Sequence, residues 1–135
     1  MSPSDALMDH AREALASARF LIDGEHVRAA VNRAYYATFY AASAAIASER
    51  EAPRSHKGVR TLFLDLFVRT GRFDADLGRI LAYAEQRRNR ADYDAFSVFD
   101  ANATRDLIGD AERFVAAVES MLNEPRGPVR PSADR

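Results

Sequence analysis

The sequence contains no cysteine, and only three of its 135 residues are histidine. Without cysteine, the chain has no disulfide framework, no thiolate metal site and no thiol nucleophile. The histidines His10, His26 and His56 are scattered and form no pair at i,i+4 spacing, so a histidine-based metal site is not expected. We therefore predict that the protein uses neither a metal ion nor another cofactor.

An excess of one charge and long apolar runs are also missing. Nineteen Lys and Arg residues nearly balance twenty Asp and Glu residues, which gives a formal net charge of −1. The chain is therefore not a polycation that coats nucleic acid, and any phosphate contact must come from a local basic patch. No apolar run approaches the ~18 residues of a membrane span, and the polar, acidic start Met1–Asp5 does not resemble a signal sequence. These features predict a cytoplasmic protein that does not contact a membrane.

Apolar residues recur with helical spacing along five segments, and 47% of the residues are apolar, enough to fill the core of one domain. The predicted helices run from Ser4 or Asp5 to about Ile22, from about Glu25 to Arg50, from Ser55 to Gly71, from Asp74 into the stretch Gln86–Asp94, and from Asp100 or Asn102 to about Leu122. No β-alternation lasts more than a few residues. The pattern predicts an all-α, up-and-down bundle of four to five helices over residues 1–123.

Two segments outside these helices differ in character. The connector from Asp94 to Phe99 contains Phe96, Val98 and Phe99, which predicts that it packs against the bundle. Residues 124–135 contain three prolines and no apolar periodicity, so we predict a disordered C-terminal tail.

The second predicted helix has aromatic residues on more than one face. Tyr35, Tyr36, Phe39 and Tyr40 follow one another closely, ahead of an alanine-rich stretch that allows close approach of helices. A helix of this kind is either central in a bundle or buried at a second surface. We expect both, and the second surface predicts a homodimer.

The end of the fourth predicted helix, Gln86–Asp94, is unusually rich in polar residues. At ~100° per residue, Arg88 and Asp92 share one face of the helix, and Asn89 and Tyr93 share another. Arg88 and Tyr93 lie ~140° apart, so we expect them to flank one groove without stacking. The stretch is either a solvated face with one ion pair or a site that binds an anion.

A second basic group lies at the start of the third predicted helix and comprises Arg54, His56, Lys57 and Arg60. It is either an ordinary capped helix, with His56 bonded to neighbouring backbone, or a second place that attracts an anion. Other familiar mechanisms find no support, because the sequence contains no glycine-rich phosphate loop, no Gly-x-Ser-x-Gly motif and no Glu-x-x-His pair. DNA binding is a weaker alternative, since no helix-turn-helix pair stands out.

Four short motifs occur in an order and spacing that resemble one branch of the HEPN domains. They are Asn32–Ala42 (NRAYYATFYAA), Ser55–Val59 (SHKGV), Phe67–Gly71 (FVRTG) and Arg88–Tyr93 (RNRADY), and the resemblance covers roughly residues 5–122. It implies a helical bundle that dimerises through its central helices. Many similar domains pair with a minimal nucleotidyltransferase in toxin–antitoxin or defence modules, and catalytic members are metal-independent ribonucleases with an Arg-x4–6-His motif.

In this resemblance Arg88 matches the motif arginine and Asn89 the polar residue that often follows it. The histidine position is occupied by Tyr93, and a tyrosine with its ordinary pKa of ~10 is a poor general base at neutral pH. The resemblance therefore leaves open whether the protein is an enzyme. The alternative is a non-catalytic dimeric module that docks a nucleotidyltransferase or another partner protein.

Together these observations predict a groove that binds RNA or a nucleotide near the end of the fourth helix. The candidate catalytic residues are Arg88 and Tyr93, and the candidate binding residues are Asn89, Asp92, Arg33, His56 and Arg87. Asp92 is expected to orient Arg88 through an ion pair. Arg33 is either a second phosphate-binding cation or a cation–π partner inside the bundle.

Overall fold

The computed structural model describes residues 1–124, which form five α-helices and no strand, and confirms the predicted all-α bundle. The helices are α1 (Pro3–Asp23), α2 (Val27–Ala47), α3 (His56–Phe63), α4 (Ala75–Tyr93) and α5 (Ala101–Leu122). A π-helical turn, Leu64–Val68, continues α3. Of the predicted disordered tail, residues 125–135 lie outside the described part of the chain. Within that part, every helix is too short or too polar to span a membrane.

Helix α2 is the centre of the bundle and packs against α1, α3, α4 and α5. Most of its alanines are fully buried, including Ala30, Ala34, Ala37 and Ala41, and their small side chains let the neighbouring backbones approach closely. The structure thus confirms the expectation that α2 is central in the bundle. The homodimer, expected from a second buried surface of α2, stays a prediction.

The apolar core contains a cluster of phenylalanine rings between α3, the π-helical turn and α5. The Phe63 ring centroid lies 5.4 Å from that of Phe67 and 5.2 Å from that of Phe114. Helix α4 passes close to this region at Gly78, where an added Cβ would lie 2.9 Å from the side chain of Leu64. These contacts fix α4 against the core and thereby position its C-terminal end.

Several helix ends differ from the sequence prediction by a few residues. Ser2, and not Ser4 or Asp5, caps α1: its hydroxyl accepts the Asp5 N–H, and the Asp5 carboxylate accepts the Ser2 N–H. Ser4 is buried and donates to the Ala44 carbonyl at 2.8 Å, which ties α1 to α2. Helix α2 begins at Val27 because Glu25 adopts a left-handed conformation with φ 64°.

The capping residues of α3 and α5 agree with the prediction. The Ser55 hydroxyl accepts the Gly58 N–H at 2.9 Å, and the Asp100 carboxylate accepts the Ala103 N–H at 2.7 Å. The helical segment ends at Val68, three residues before the predicted stop at Gly71. Gly71 lies in the following turn with φ 78°, a conformation that glycine adopts without strain.

The connector between α4 and α5 corrects the prediction that its apolar residues pack. Phe96 is 94% exposed and Val98 is 91% exposed, so only Phe99 packs against the bundle. Hydrogen bonds from Arg28 to backbone carbonyls fix this segment instead. Arg28 donates to the Ala91 carbonyl at 2.7 Å and to the Ser97 carbonyl at 2.5 Å. Because these bonds fix the backbone, the connector does not need to bury its apolar side chains.

Candidate functional site

Arg88 lies on the face of α4 that packs against α2, and its side chain is only 15% exposed. Its Nε lies 2.8 Å from the Asp92 carboxylate, which confirms the predicted ion pair one turn along the helix. Its Nη2 donates to the Tyr36 hydroxyl at 3.2 Å, and its Nη1 donates to the Asn89 side-chain carbonyl at 3.3 Å. Contacts from both helices therefore hold the guanidinium in one position.

Three tyrosine rings surround this guanidinium. Its Cζ lies 5.6 Å from the ring centroid of Tyr35, 5.5 Å from that of Tyr36 and 5.9 Å from that of Tyr93. The contact with Tyr93 corrects the expectation that the two side chains cannot stack, since the long arginine side chain reaches across the helix surface. The buried Tyr35 ring shields the guanidinium from water, and all three rings attract the cation without neutralising it.

Arg88 retains hydrogen-bonding capacity that the protein does not use. The Nε–H is close to Asp92, but it is not directed at the carboxylate and makes no hydrogen bond although the atom is buried. The interaction with Asp92 is therefore an electrostatic pair. Of the five guanidinium N–H donors, two make hydrogen bonds to residues within 1–124. A fixed cation with free donors is suited to binding an anion.

His56 lies beside this cluster, at the first position of α3. Its ring stacks on that of Phe39 with centroids 4.6 Å apart, and its Nδ1 is hydrogen-bonded to the Tyr35 hydroxyl at 2.5 Å. The predicted alternative, a bond from His56 to neighbouring backbone, is not what the structure contains. The histidine instead connects α3 to the aromatic face of α2 near Arg88.

The surroundings shift the pKa values of both groups in this hydrogen bond. Burial and the positive charge of Arg88 lower the pKa of His56, and the carboxylate of Glu85 opposes this effect. Burial and, to a smaller extent, the negative charge of Glu85 raise the pKa of the Tyr35 phenol. At neutral pH the imidazole and the phenol are therefore both uncharged.

Arg33 and Asn32 extend the site along α2. Both Nε and Nη2 of Arg33 donate to the Asn32 side-chain carbonyl, at 3.1 and 2.9 Å, and the Asn32 amide donates to Asp92 at 3.4 Å. The Arg33 Cζ also lies 4.9 Å from the Tyr36 ring centroid. The predicted cation–π role is therefore present, and it places a second cation on the same tyrosine that contacts Arg88.

An open groove of about 610 Å³ runs beside Arg33 and Asp92. Its lining residues come from the end of α1, the start of α2 and the end of α4: Leu21, His26, Val27, Arg28, Ala29, Asn32, Arg33, Ala91 and Asp92. A smaller cavity of about 340 Å³ lies beside Asn89. At that cavity Arg60 forms an ion pair with Glu85. Arg88 itself lines neither space, but its neighbours Asp92 and Asn89 line one each.

The structure does not bring every predicted site residue together. Arg87 points away from Arg88, with its Cζ 4.9 Å from the Phe99 ring centroid and 5.8 Å from that of Tyr83. Asn89 and Tyr93 lie at the exposed edge of the cluster, and Tyr93 is 78% exposed.

The sequence prediction missed three residues that shape this region. Tyr36 accepts a hydrogen bond from Arg88, and Asn32 donates one to Asp92. Arg28 donates to the Ala91 carbonyl near the end of α4. Asn32 and Tyr36 are four residues apart on one helix, so they share a face, and this spacing could have marked them. Residues 1–124 include no group of three or more His, Asp or Glu side chains placed to hold a metal ion.

The helical bundle agrees with one known family. The family model described as the HEPN domain matches residues 4–121, and the chain belongs to this family.

Three relatives align with most of the chain. A UPF0332 protein of Thermotoga maritima is 34% identical over 114 residues, 84% of this chain and 86% of the relative. A Methanocaldococcus jannaschii protein named "Putative toxin MJ0605" is 34% identical over 119 residues, 88% of each chain. A UPF0332 protein of Gloeobacter violaceus is 34% identical over 117 residues, 86% of this chain and 93% of the relative.

Proposed function

We propose that this HEPN protein binds single-stranded RNA through a backbone phosphate at Arg88 and acts as the toxin of a toxin–antitoxin module. The observation that carries the proposal is the fixed guanidinium of Arg88, which has one nearby carboxylate and one unused N–H donor on each of Nη1 and Nη2. A planar guanidinium can bind two phosphate oxygens at once, and the burial of the Arg88 side chain strengthens such charge-assisted hydrogen bonds.

Two further features favour an RNA chain over an isolated inorganic anion. The exposed ring of Tyr93 lies beside Arg88 and offers a surface on which an unpaired base can stack. Arg33 packs on the Tyr36 ring that also contacts Arg88, and it lines the open groove, where it can meet a neighbouring phosphate. The toxin role is supported by the name of the Methanocaldococcus jannaschii relative.

The test compares Arg88→Ala with Arg79→Ala, a matched control on the same helix whose side chain is exposed and pairs with Asp76. Binding of a labelled single-stranded RNA is measured by fluorescence anisotropy at several salt concentrations. Loss of charge-assisted bonds worth about 1.5–3 kcal/mol predicts that Arg88→Ala weakens binding by about 10- to 150-fold. The salt dependence should also become shallower, whereas Arg79→Ala should bind as the parent does.

Circular dichroism shows whether each variant is folded, and Arg88→Lys, which keeps the charge but loses the planar fork, provides a second variant. Growth of a bacterial host that expresses the parent or a variant measures toxicity. A folded Arg88→Ala protein that binds RNA and inhibits growth like the parent would refute the proposal.

A second candidate function is that of a non-catalytic module that binds a partner protein, such as a second copy of the chain or the minimal nucleotidyltransferase expected from the family resemblance. It is favoured by the exposed apolar side chains of Phe96 and Val98, which follow the end of α4. The double substitution Phe96→Asp, Val98→Asp separates the two candidates. It should abolish partner binding, measured by light scattering after size exclusion, and leave RNA binding at Arg88 intact.

A further inference from the structure

We infer that His56 is the acid–base residue for RNA cleavage at the Arg88 site, an inference that rests on the proposed function. In this chain the position five residues after Arg88 is Tyr93, so the end of α4 supplies no histidine. The fold instead brings a histidine from the start of α3 to the same cluster.

Two tyrosines of α2 pack against both His56 and Arg88. The Arg88 Cζ lies 5.6 Å from the ring centroid of Tyr35 and 5.5 Å from that of Tyr36. The His56 ring centroid lies 5.5 Å from the first ring and 5.8 Å from the second. The imidazole and the guanidinium therefore pack on the same pair of rings, and the charge of Arg88 acts on the His56 ring. We infer that one bound nucleotide meets both groups.

One nitrogen of His56 is available to a substrate. Nδ1 is occupied by the hydrogen bond with Tyr35, whereas Nε2 has no hydrogen-bond partner among residues 1–124, and the residue is partly exposed. When the Tyr35 oxygen accepts the proton on Nδ1, the lone pair remains on Nε2, which is the form that a general base requires. Tyr35 is then a positioning residue, because it acts through His56.

The charges around His56 favour the uncharged imidazole. Arg88 on α4 disfavours a second positive charge on the His56 ring. The Glu85 carboxylate on the same helix opposes this effect, and it also forms an ion pair with Arg60 of α3. The groups that face the ring from α2, Tyr35 and Tyr36, are phenols. A neutral imidazole next to a bound phosphate is ready to accept a proton.

The reaction step balances without a metal or a redox partner. Nε2 of His56 takes the proton of a ribose 2′-hydroxyl, and the 2′-oxygen forms a bond to the adjacent phosphorus. The bond from phosphorus to the 5′-oxygen breaks, the leaving oxygen takes a proton from water, and His56 later returns its proton to water. Arg88 stabilises the charge on the phosphoryl oxygens. The products are a 2′,3′-cyclic phosphate and a 5′-hydroxyl end.

The experiment measures binding and cleavage of the same labelled single-stranded RNA for His56→Gln, with His10→Gln as the matched histidine control. His10 lies on α1, and its ring packs against Tyr40 with centroids 5.4 Å apart. Loss of an acid–base group predicts that His56→Gln cleaves about 10²- to 10⁴-fold more slowly, with cyclic phosphate ends lost in proportion. RNA affinity should stay within about threefold, since Arg88 still holds the phosphate. His10→Gln should bind and cleave like the parent.

Three further readouts test the chemical role of His56. The cleavage rate of the parent should fall with decreasing pH through a pKa below the ordinary value of 6.5 for histidine. Tyr35→Phe removes the acceptor that favours the charged imidazole, so its acid limb should move to still lower pH. The 2′-deoxy version of the oligonucleotide should bind at Arg88 without being cleaved.

The inference is overturned if the parent yields no cyclic phosphate, if folded His56→Gln cleaves like the parent, or if Tyr93→Phe alone abolishes cleavage. RNA binding that depends on Arg88 without any cleavage would overturn the role of His56 and leave the proposed function standing. RNA binding that is unaffected by Arg88→Ala would overturn the proposed function as well.

Discussion

Replacing Asp92 by asparagine should destabilise the fold and strengthen RNA binding at the same time. The Arg88 side chain is 15% exposed and that of Asp92 is 28% exposed, and their atoms approach to 2.8 Å. Asparagine keeps the oxygen that accepts the hydrogen bond from Asn32, so the substitution removes little besides the negative charge. Its effect therefore measures what the charge contributes to holding Arg88.

The magnitude follows from the partial burial of the pair. An exposed pair one turn apart on a helix contributes about 0.3–0.5 kcal/mol, whereas breaking a fully buried pair costs about 3–5 kcal/mol. Because Arg88 is mostly buried and Asp92 is more exposed, we expect Asp92→Asn to lower the free energy of unfolding by about 1–2 kcal/mol. This loss corresponds to a fall in Tm of about 3–8 °C for a domain of this size.

The assay is urea unfolding followed by circular dichroism, combined with RNA binding by anisotropy. Asp65→Asn is the matched control, since Asp65 pairs with Arg69 at the same spacing on the exposed surface. The control should change stability by at most about 0.5 kcal/mol. Equal effects of the two substitutions, or weaker RNA binding by Asp92→Asn, would refute the reasoning that Asp92 balances a mostly buried, anion-binding Arg88.

Two other predictions concern the connector. Arg28→Ala leaves the carbonyls of Ala91 and Ser97 without their charged donor, so we expect the free energy of unfolding in urea to fall by about 1–3 kcal/mol. Amide hydrogen exchange in the connector should become faster, and unchanged exchange there would contradict this role of Arg28. Hydrogen bonds from the Ser97 hydroxyl and the Phe96 N–H lower the pKa of Asp94 below its ordinary 3.8. The stabilising effect of these hydrogen bonds is thus present above pH ~3.8 and is lost as the pH falls through the lowered pKa of Asp94. In an NMR titration the chemical shift of the Phe96 amide should change with a midpoint below 3.8.

The helices were predictable from the sequence because apolar spacing and capping residues are local signals. Ser55 caps α3 as expected, and the ion pair of Arg88 with Asp92 follows from a spacing of four residues on one helix. The exposure of Phe96 was not predictable, because an apolar side chain is buried only if another part of the fold packs against it, and the local sequence does not show this.

Long-range polar contacts were also beyond the sequence. Arg28 reaches carbonyls that lie more than sixty residues further along the chain, and the hydrogen bond between Tyr35 and His56 joins two helices. Arg87 and Arg88 are adjacent and chemically identical, yet one contacts the connector and the other the aromatic face of α2. Only the packing of α4 against its neighbours distinguishes them.

The most direct test of phosphate binding at Arg88 is an NMR titration that follows arginine Nε–Hε groups and histidine rings. The ligand is a 2′-O-methylated RNA, which keeps the phosphates and lacks the attacking hydroxyl. We expect the signals of Arg88 and His56 to shift together and saturate, while the signal of Arg79 stays in place. A shift of exposed arginines such as Arg79 without a change at Arg88 would contradict the proposed site.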